Sequence, residues 1–335
     1  MGNIWYLSRT NGVHDRRWTA LLRDDGHRVT ELALDASVDM LRQLARLSPP
    51  DGIVAGPLTD ALPIAVQAGV APVLGICWGF DVLLEMDDDI TRRRAEAALA
   101  GTSLVHVDCD DLRNRVVGLG VDPDRISVGA WGIDLSFYKP GPRDDGIRAA
   151  AGFGDSDVVV LTTRAWEPTY AVDILLDGFA QARTQDPRMR LTWAGRGSLD
   201  EALQARAEAL GITSAVRRVG HLDDDDLLAW LRSADVYASA ARADGSSLSL
   251  MEALACGLPC VVTDLASNRE WVSDRAVGTL FRRDDAASLA RALLNATSHT
   301  GSPTRRREVV ARRGDWRKNR KVFSAAVHRL VTETS

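Results

Sequence analysis

The chain has 335 residues, of which 45% are hydrophobic and 26% charged; this composition is ordinary for a soluble globular protein, and the length predicts two domains. The formal net charge of -5 and a pI near 5.7 exclude nucleic acid as the main partner. The sequence has no apolar run long enough to cross a bilayer, and residues 1–30 lack a signal-peptide core, so we expect a cytoplasmic protein.

Short apolar runs alternate with longer helical patterns along the whole chain, which is typical of βαβ units and parallel sheets. In the first half the pattern predicts strands at residues 4–7, 29–34, 52–55, 72–76, 103–107 and 126–128. In the second half it predicts strands at residues 158–162, 190–194, 216–219, 236–238, 260–263 and 278–281. We therefore expect an α/β protein whose two open sheets face each other across a cleft, with ligands at the carboxyl ends of the strands.

The segment 139–145, Lys-Pro-Gly-Pro-Arg-Asp-Asp, interrupts this alternation. Its two prolines and its glycine cannot continue a helix or an inner strand, so we place the hinge there. The predicted domains are residues 1–140 and 141–314. A final helix within residues 315–335 is expected to cross back onto the first domain.

A turn with a glycine, Asn11-Gly12-Val13-His14, follows the first predicted strand and precedes a helix. Gly12 lets the backbone approach a ligand closely, and the helix start favours phosphate. The same residues also fit an ordinary βα turn. His14 is either a catalytic base or a surface histidine beside Asp15, and we favour Gly12 over His14 as a site residue.

Two carboxylates, Asp244 and Glu252, flank a Gly-Ser-Ser turn that opens a predicted helix. The serines can cap that helix, and its first free amides form an anion site. Glu252 lies roughly two turns further along and can project toward the same place. One segment thus offers phosphate donors and hydroxyl acceptors together, the two requirements of a nucleotide-sugar ligand.

The four cysteines, Cys77, Cys109, Cys256 and Cys260, lack paired metal-ligand spacing, so we expect free buried thiols. The end of the chain is strongly basic. We favour a solvated helix face for this basic cluster, and peripheral contact with an anionic lipid surface is the alternative. The cluster consists of Arg305, Arg306, Arg307, Arg312, Arg313, Arg317, Lys318, Arg320 and Lys321.

Several blocks between residues 103 and 330, in order and at the right spacings, resemble retaining glycosyltransferases of the GT-B fold, specifically family 4. The segment 126–140 is similar to the family's interdomain segment, and 192–197 is similar to its strand and glycine turn. The blocks 219–222, 226–228 and 233–236 are similar to its nucleoside-side region. The segment 243–259 matches its carboxylate pair, with aspartate at the first position instead of glutamate.

The resemblance implies two Rossmann-like domains and a nucleotide-diphosphate sugar donor held chiefly by the second domain. Glu252 would accept hydrogen bonds from the ribose, and Asp244 would face hydroxyls of the transferred sugar. Arg164 would bridge phosphate oxygens of the leaving group. Backbone amides would hold the diphosphate at the helix start. The further donor-binding candidates are Gly12, from the amino-terminal turn, and Gly195, His221, Gly245, Ser246, Ser247 and Leu248, from the segments that resemble the family.

The chain departs from the family at two positions. Thr169 or Tyr170 occupies the place of the usual lysine, so a hydroxyl replaces a cation at the leaving group, while Glu167 is expected to order the loop. Trp78 replaces a usual histidine and is either an acceptor-side wall, with Asn11 and His14, or buried. Asp81, the third catalytic candidate beside Arg164 and Asp244, orients either a loop or an acceptor hydroxyl.

The expected reaction is transfer of a sugar to an acceptor hydroxyl on a small molecule or a glycan, with retention of configuration. No histidine cluster calls for a metal, so we expect metal independence and no cofactor beyond the donor co-substrate. Two alternatives remain: a nucleotide-sugar 2-epimerase-like isomerase, and a non-catalytic nucleotide-sugar-binding protein. The sequence leaves the base, the sugar, the acceptor and the oligomeric state open.

Overall fold

The computed structural model describes residues 1–9, 12–33, 37–298 and 301–332. The chain divides into two compact units: the first is Met1–Trp131 with Arg317–Ser335, and the second is Gly132–Trp316. This division precedes the hinge placed at 139–145. Backbone bonds hold the intervening segment in the second unit, from Ile133 N to Gly314 O (2.8 Å) and from Trp316 N to Ile133 O (3.0 Å).

The first unit contains a six-stranded parallel sheet in the order β2-β1-β3-β4-β5-β6. Its strands are β1 (Asn3–Ser8), β2 (Arg28–Leu32), β3 (Gly52–Gly56), β4 (Val73–Ile76), β5 (Leu104–Val107) and β6 (Ile126–Val128). Its helices are α1 (Val13–Asp24), α2 (Val38–Leu47), α3 (Ala61–Ala68), α4 (Phe80–Leu83), α5 (Asp89–Ala100) and α6 (Asp110–Gly118).

The second unit contains another six-stranded parallel sheet, in the order β12-β11-β10-β7-β8-β9. Its strands are β7 (Val158–Thr162), β8 (Met189–Ala194), β9 (Val216–Gly220), β10 (Val236–Ser239), β11 (Cys260–Thr263) and β12 (Gly278–Phe281). Its helices are α7 (Asp145–Ala150), α8 (Val172–Gln185), α9 (Asp200–Ala209), α10 (Asp224–Ser233), α11 (Leu248–Ala255), α12 (Ala266–Arg269), α13 (Ala286–Ser298) and α14 (Pro303–Arg313).

Both sheets are of the doubly wound, Rossmann-like type, so the α/β prediction is confirmed. Each predicted strand overlaps an observed one. For the inner strands the reason is burial on both faces, which leaves long apolar runs in the sequence. In the second unit the strand order, counted from β7, is 3-2-1-4-5-6, which reverses between β7 and β10. That reversal is where ligands bind in such sheets.

Apolar helix faces form the core of each unit around the sheets. In the second unit, α8 and α13 approach closely at Gly178, where a Cβ atom would lie 2.7 Å from Leu289 Cδ2. In the first unit, the last helix, α15 (Trp316–Thr332), inserts Phe323, which stacks on Trp18 with ring centroids 4.0 Å apart. Within the described ranges, no helix combines the length and the apolarity that a membrane crossing requires.

The basic cluster near the chain end does not form one solvated face, contrary to the favoured interpretation. Arg306 is buried, and the Arg307 guanidinium donates to the carbonyls of Leu135 (2.6 Å) and Tyr138 (2.7 Å). Arg305 and Arg313 pair with Asp274 and Glu270. These arginines instead bind carbonyls and carboxylates of their own unit. The four cysteines are free and buried, as expected.

Candidate functional site

The sheet reversal in the second unit brings two predicted residues together. Arg164 follows β7 and Asp244 follows β10, and these strands are neighbours. Arg164 Nη2 lies 3.0 Å from Asp244 Oδ2, and the Arg164 side chain is only 9% exposed. The carboxyl ends of the two strands thus hold a largely buried ion pair.

The same guanidinium binds the helix that follows Asp244. Arg164 Nη1 donates to Ser247 Oγ (2.7 Å) and to Ser249 Oγ (2.9 Å). The hydroxyl of Tyr237, on β10, donates to Ser249 Oγ (2.7 Å). The ring of Tyr170 covers the guanidinium, 4.1 Å from Arg164 Cζ. Arg164 is therefore fixed on several sides by hydroxyls, a carboxylate and an aromatic face.

Burial and charge have opposite effects on the pKa values of Arg164 and Asp244. Burial opposes the charge of Arg164 more than any single neighbour favours it, but Asp244, Tyr170 and Tyr237 together raise the pKa of the guanidinium above its ordinary value. Burial raises the pKa of Asp244, although Arg164 and the Gly245 amide stabilise the carboxylate form. Burial also raises the pKa of Tyr237 to about 12, so this phenol is a hydrogen-bond donor at neutral pH.

The helix starts at the predicted serine cap. Ser247 is the N-cap of α11, and its hydroxyl accepts from Leu250 N (3.4 Å). The first-turn amides of Leu248 and Ser249 have no acceptor within their own helix, so they are the donors that this end offers to an anion. Of the predicted donors, Leu248 lies in that turn, Ser246 and Ser247 precede it, and the Gly245 amide binds Asp244.

Glu252 lies on α11 and accepts a hydrogen bond from Tyr138, a residue that we did not predict. Burial, and then the Glu252 carboxylate, raise the pKa of the Tyr138 hydroxyl. Tyr138 follows the Ile-Asp-Leu-Ser-Phe run and is held by Arg307, which binds its carbonyl. A carboxylate can accept further hydrogen bonds, so Tyr138 orients Glu252 without saturating it.

The loop after β7 carries Thr169 and Tyr170, the two residues predicted to stand at the position of the usual lysine. Residues Pro168–Tyr170 form a 3-10 turn, and Arg242 holds it by donating to the carbonyls of Pro168 (2.7 Å) and Thr169 (2.8 Å). Tyr170 thereby covers Arg164 with its ring. Glu167 accepts from the amide (2.8 Å) and hydroxyl (2.6 Å) of Ser198, so it orders the loop, as expected.

Gly195 has a packing role. Its φ is +139°, and a Cβ atom there would lie 2.4 Å from the Arg164 carbonyl oxygen. Any side chain would therefore push the loop that carries Arg164. His221 follows β9 and is exposed, and β8 lies between β9 and β7. The sheet order thus separates His221 from Arg164 by two strand positions.

In the first unit, Asp81 is completely buried and orders loops. Its carboxylate accepts from the amides of Leu58 (2.8 Å), Trp78 (3.1 Å) and Val82 (3.0 Å). Burial raises its pKa to about 6. Of the two roles that the sequence left open, the structure supports loop ordering, because the 0% exposed carboxylate is inaccessible to an acceptor hydroxyl.

His14 and Trp78 come together around Trp131. The ring of Trp131 lies 4.3 Å from that of His14 and 5.6 Å from that of Trp78, between centroids. Gly12 donates its amide to Asp15 Oδ2 (2.8 Å), so that amide serves the helix cap rather than a ligand, contrary to our expectation. Asn11 lies outside the described residues.

Sequence reasoning missed Ser249, Tyr237, Tyr138, Arg242 and Trp131. Ser249, Tyr237 and Arg242 matter through pairings between segments, which no local motif records. Trp131 and Tyr138 had a signal, because both lie in the segment 126–140 that resembles the family.

Comparison with known proteins supports a family for part of the chain. Residues 156–299 match the family model described as "Glycosyl transferases group 1". The D-inositol 3-phosphate glycosyltransferase of Frankia alni is 31% identical over 209 residues, which cover 59% of this chain and 51% of that protein. The corresponding enzyme of Rhodococcus erythropolis is 31% identical over 57% of this chain and 44% of that protein. The chain spans about half the length of these curated relatives.

Solved structures extend the similarity to both units. Anabaena HepE in complex with UDP superposes with a TM-score of 0.81 at 18% identity, over 98% of this chain and 100% of that one. Sucrose-phosphate synthase of Thermosynechococcus elongatus gives 0.83 at 15% identity, over 99% and 100%. The chain therefore has the GT-B glycosyltransferase fold, and residues 156–299 of its second unit match the glycosyl transferases group 1 family.

Proposed function

We propose that this chain is a retaining glycosyltransferase that moves a sugar from a nucleotide-diphosphate donor to an acceptor hydroxyl. The observation that carries the proposal is the group formed by Arg164, Asp244 and the start of α11, with Glu252 on the same helix. It places a guanidinium, first-turn amides and two carboxylates at the sheet reversal.

In this proposal the diphosphate binds the first-turn amides of α11 and the Arg164 guanidinium. Glu252, oriented by Tyr138, accepts hydrogen bonds from the ribose, and Asp244 accepts from hydroxyls of the transferred sugar. As the anomeric C–O bond breaks, its electron pair leaves with the diphosphate, whose growing charge Arg164 stabilises. The acceptor oxygen attacks from the same face and passes its proton to a departing phosphate oxygen. We propose that no metal ion takes part.

The donor class can be narrowed by similarity. HepE has been solved with UDP and with UDP-glucose, so UDP-sugars are the first donors to test. We propose the acceptor only as a hydroxyl of a small molecule or a glycan. The sequence relatives do not narrow it further, because the match covers only about half of their length. The aromatic group of His14, Trp78 and Trp131 is the proposed acceptor-side surface.

The test is to incubate the purified chain with UDP-sugars and a panel of hydroxyl acceptors, with and without a chelator. We expect UDP release together with a glycoside whose anomeric configuration, measured by NMR, matches that of the donor. An epimerised intact donor would instead identify an isomerase, and saturable binding without turnover would identify a binding protein. Inversion of configuration, or activity lost on chelation, would refute the corresponding part of the proposal.

A further inference from the structure

Arg306, a buried arginine of α14, has no acidic partner among the described residues. Arg306 is 3% exposed, and its recorded bonds run from Nε to the Val277 carbonyl (3.1 Å) and from Nη1 to the Gly257 carbonyl (3.0 Å). A guanidinium has five N–H donors, so these bonds leave others available. Within residues 1–9, 12–33, 37–298 and 301–332, no carboxylate pairs with it. Burial accordingly lowers the pKa of Arg306.

Arg306 lines a small pocket with a second cation. The pocket has a volume of about 130 Å³, and its polar lining includes Arg275, Thr279 and Asn295. Arg275 is exposed and forms no ion pair in the part of the chain that the structure describes. The described lining contains no Asp or Glu, so its formal charges are both positive.

The size of the pocket limits its occupant. A volume of about 130 Å³ corresponds to about four water molecules at roughly 30 Å³ each. Pockets for drug-sized ligands span about 300–1,000 Å³. The space therefore suits a tetrahedral oxyanion better than a nucleotide.

The pocket is separate from the candidate donor site. Cys260 and Gly278, which line it, are the first residues of β11 and β12. Arg164 and Asp244 follow the carboxyl ends of β7 and β10. Because the sheet is parallel, the pocket lies at its amino edge and the donor site at its carboxyl edge.

We propose that this pocket, the Arg306 pocket, binds a phosphate-like oxyanion between the guanidinium groups of Arg306 and Arg275. The anion supplies the counter-charge that a buried guanidinium otherwise lacks. Arg306 also holds the carbonyls of Gly257 and Val277, so the bound anion stabilises the connections that precede β11 and β12. This inference is independent of the proposed transferase activity.

The test is thermal unfolding in inorganic phosphate, compared with potassium chloride at equal ionic strength. We expect phosphate to raise Tm by about 3–5 °C at ten times its Kd. Arg275→Ala should remove most of this shift. Arg217→Ala, which changes an exposed arginine of β9, should keep it. Since phosphate can also reach the donor site, Arg275→Ala must retain any Tm shift produced by UDP.

The proposal fails if wild type shows no shift beyond that of chloride, or if Arg275→Ala responds fully to phosphate. Crystals soaked in selenate give a second readout: an anomalous peak beside Arg306 supports the pocket, and peaks only elsewhere contradict it. Glucose 1-phosphate distinguishes two sources of the anion. An Arg275-dependent shift with this ester means that a sugar phosphate fits, whereas a shift with free phosphate alone restricts the pocket to the inorganic ion.

Discussion

Arg164 combines two properties that a lysine could not supply at the same place. Its planar fork contacts Asp244, Ser247 and Ser249 together, while its face packs on the Tyr170 ring. The aromatic face of Tyr170 thus holds the Arg164 guanidinium in position. Its orientation, and not only its charge, is then essential to the proposed chemistry.

We expect Arg164→Lys to lower kcat by about 10²–10³-fold with a smaller change in KM, because the lost donors act mainly on the leaving group. Steady-state kinetics with the best donor measures this, and Arg217→Lys is the matched control. An unchanged kcat would show that Arg164 does not contact the diphosphate.

Asp244 neutralises Arg164 when no donor is bound. Asp244→Asn should therefore free the guanidinium for phosphate and tighten UDP binding by about tenfold, since a charge-assisted hydrogen bond contributes roughly 1.5–3 kcal/mol. The same variant should lose turnover, because the sugar hydroxyls lose a charged acceptor. Calorimetry with UDP decides: weaker binding would contradict the counter-ion role.

Glu252→Ala should weaken donor binding by about 1.5–3 kcal/mol through the loss of its hydrogen bonds to the ribose. Tyr138→Phe removes only the hydroxyl that orients this carboxylate, so we expect a loss below about 1 kcal/mol. Calorimetric titration of both variants with UDP measures the contrast. Equal affinities of wild type and Glu252→Ala would remove Glu252 from the site.

At the scale of elements, the start of α11 has two functions at once. Ser247 caps the helix and also accepts from Arg164. Ser247→Ala should cost about 1 kcal/mol of unfolding free energy as a lost cap and should also lower kcat. Ser302→Ala removes the equivalent cap of α14 and should cost similar stability without affecting kcat. Urea unfolding and kinetics on both variants separate the two functions, and equal kinetic effects would contradict the assignment.

The strands were easier to predict from the sequence than the contacts between distant side chains. Strands β7 and β11 were placed correctly because inner parallel strands are buried on both faces and leave continuous apolar runs. The two compact units divide between Trp131 and Gly132, before the hinge predicted at 139–145, whose prolines break helices wherever they lie. The partners of Arg164 were out of reach, because contacts between distant segments depend on the strand order, which local patterns do not encode.

At the scale of the whole molecule, Asp81 makes stability depend on pH. Its pKa in the folded state is raised by burial to about 6, so its contribution to stability is complete below its ordinary pKa and is lost as the pH rises through about 6. At roughly 1.4 kcal/mol per pH unit, the loss approaches about 3 kcal/mol.

The difference in unfolding free energy between wild type and Asp81→Asn should therefore be larger, in favour of wild type, at pH 4.5 than at pH 7.5. Denaturant unfolding of both proteins across this range measures it. Parallel pH profiles would show that Asp81 titrates normally in the folded state.

The return of α15 to the first unit has a consequence for synthesis. Trp18 is near the beginning of the chain, and its stacking partner Phe323 emerges from the ribosome only after the whole second unit has been made. The first unit therefore lacks part of its core until α15 has been synthesised, whereas the second unit has all of its residues before then. A nascent chain arrested before Phe323 should accordingly recruit chaperones around Trp18, which lacks its stacking partner in that chain.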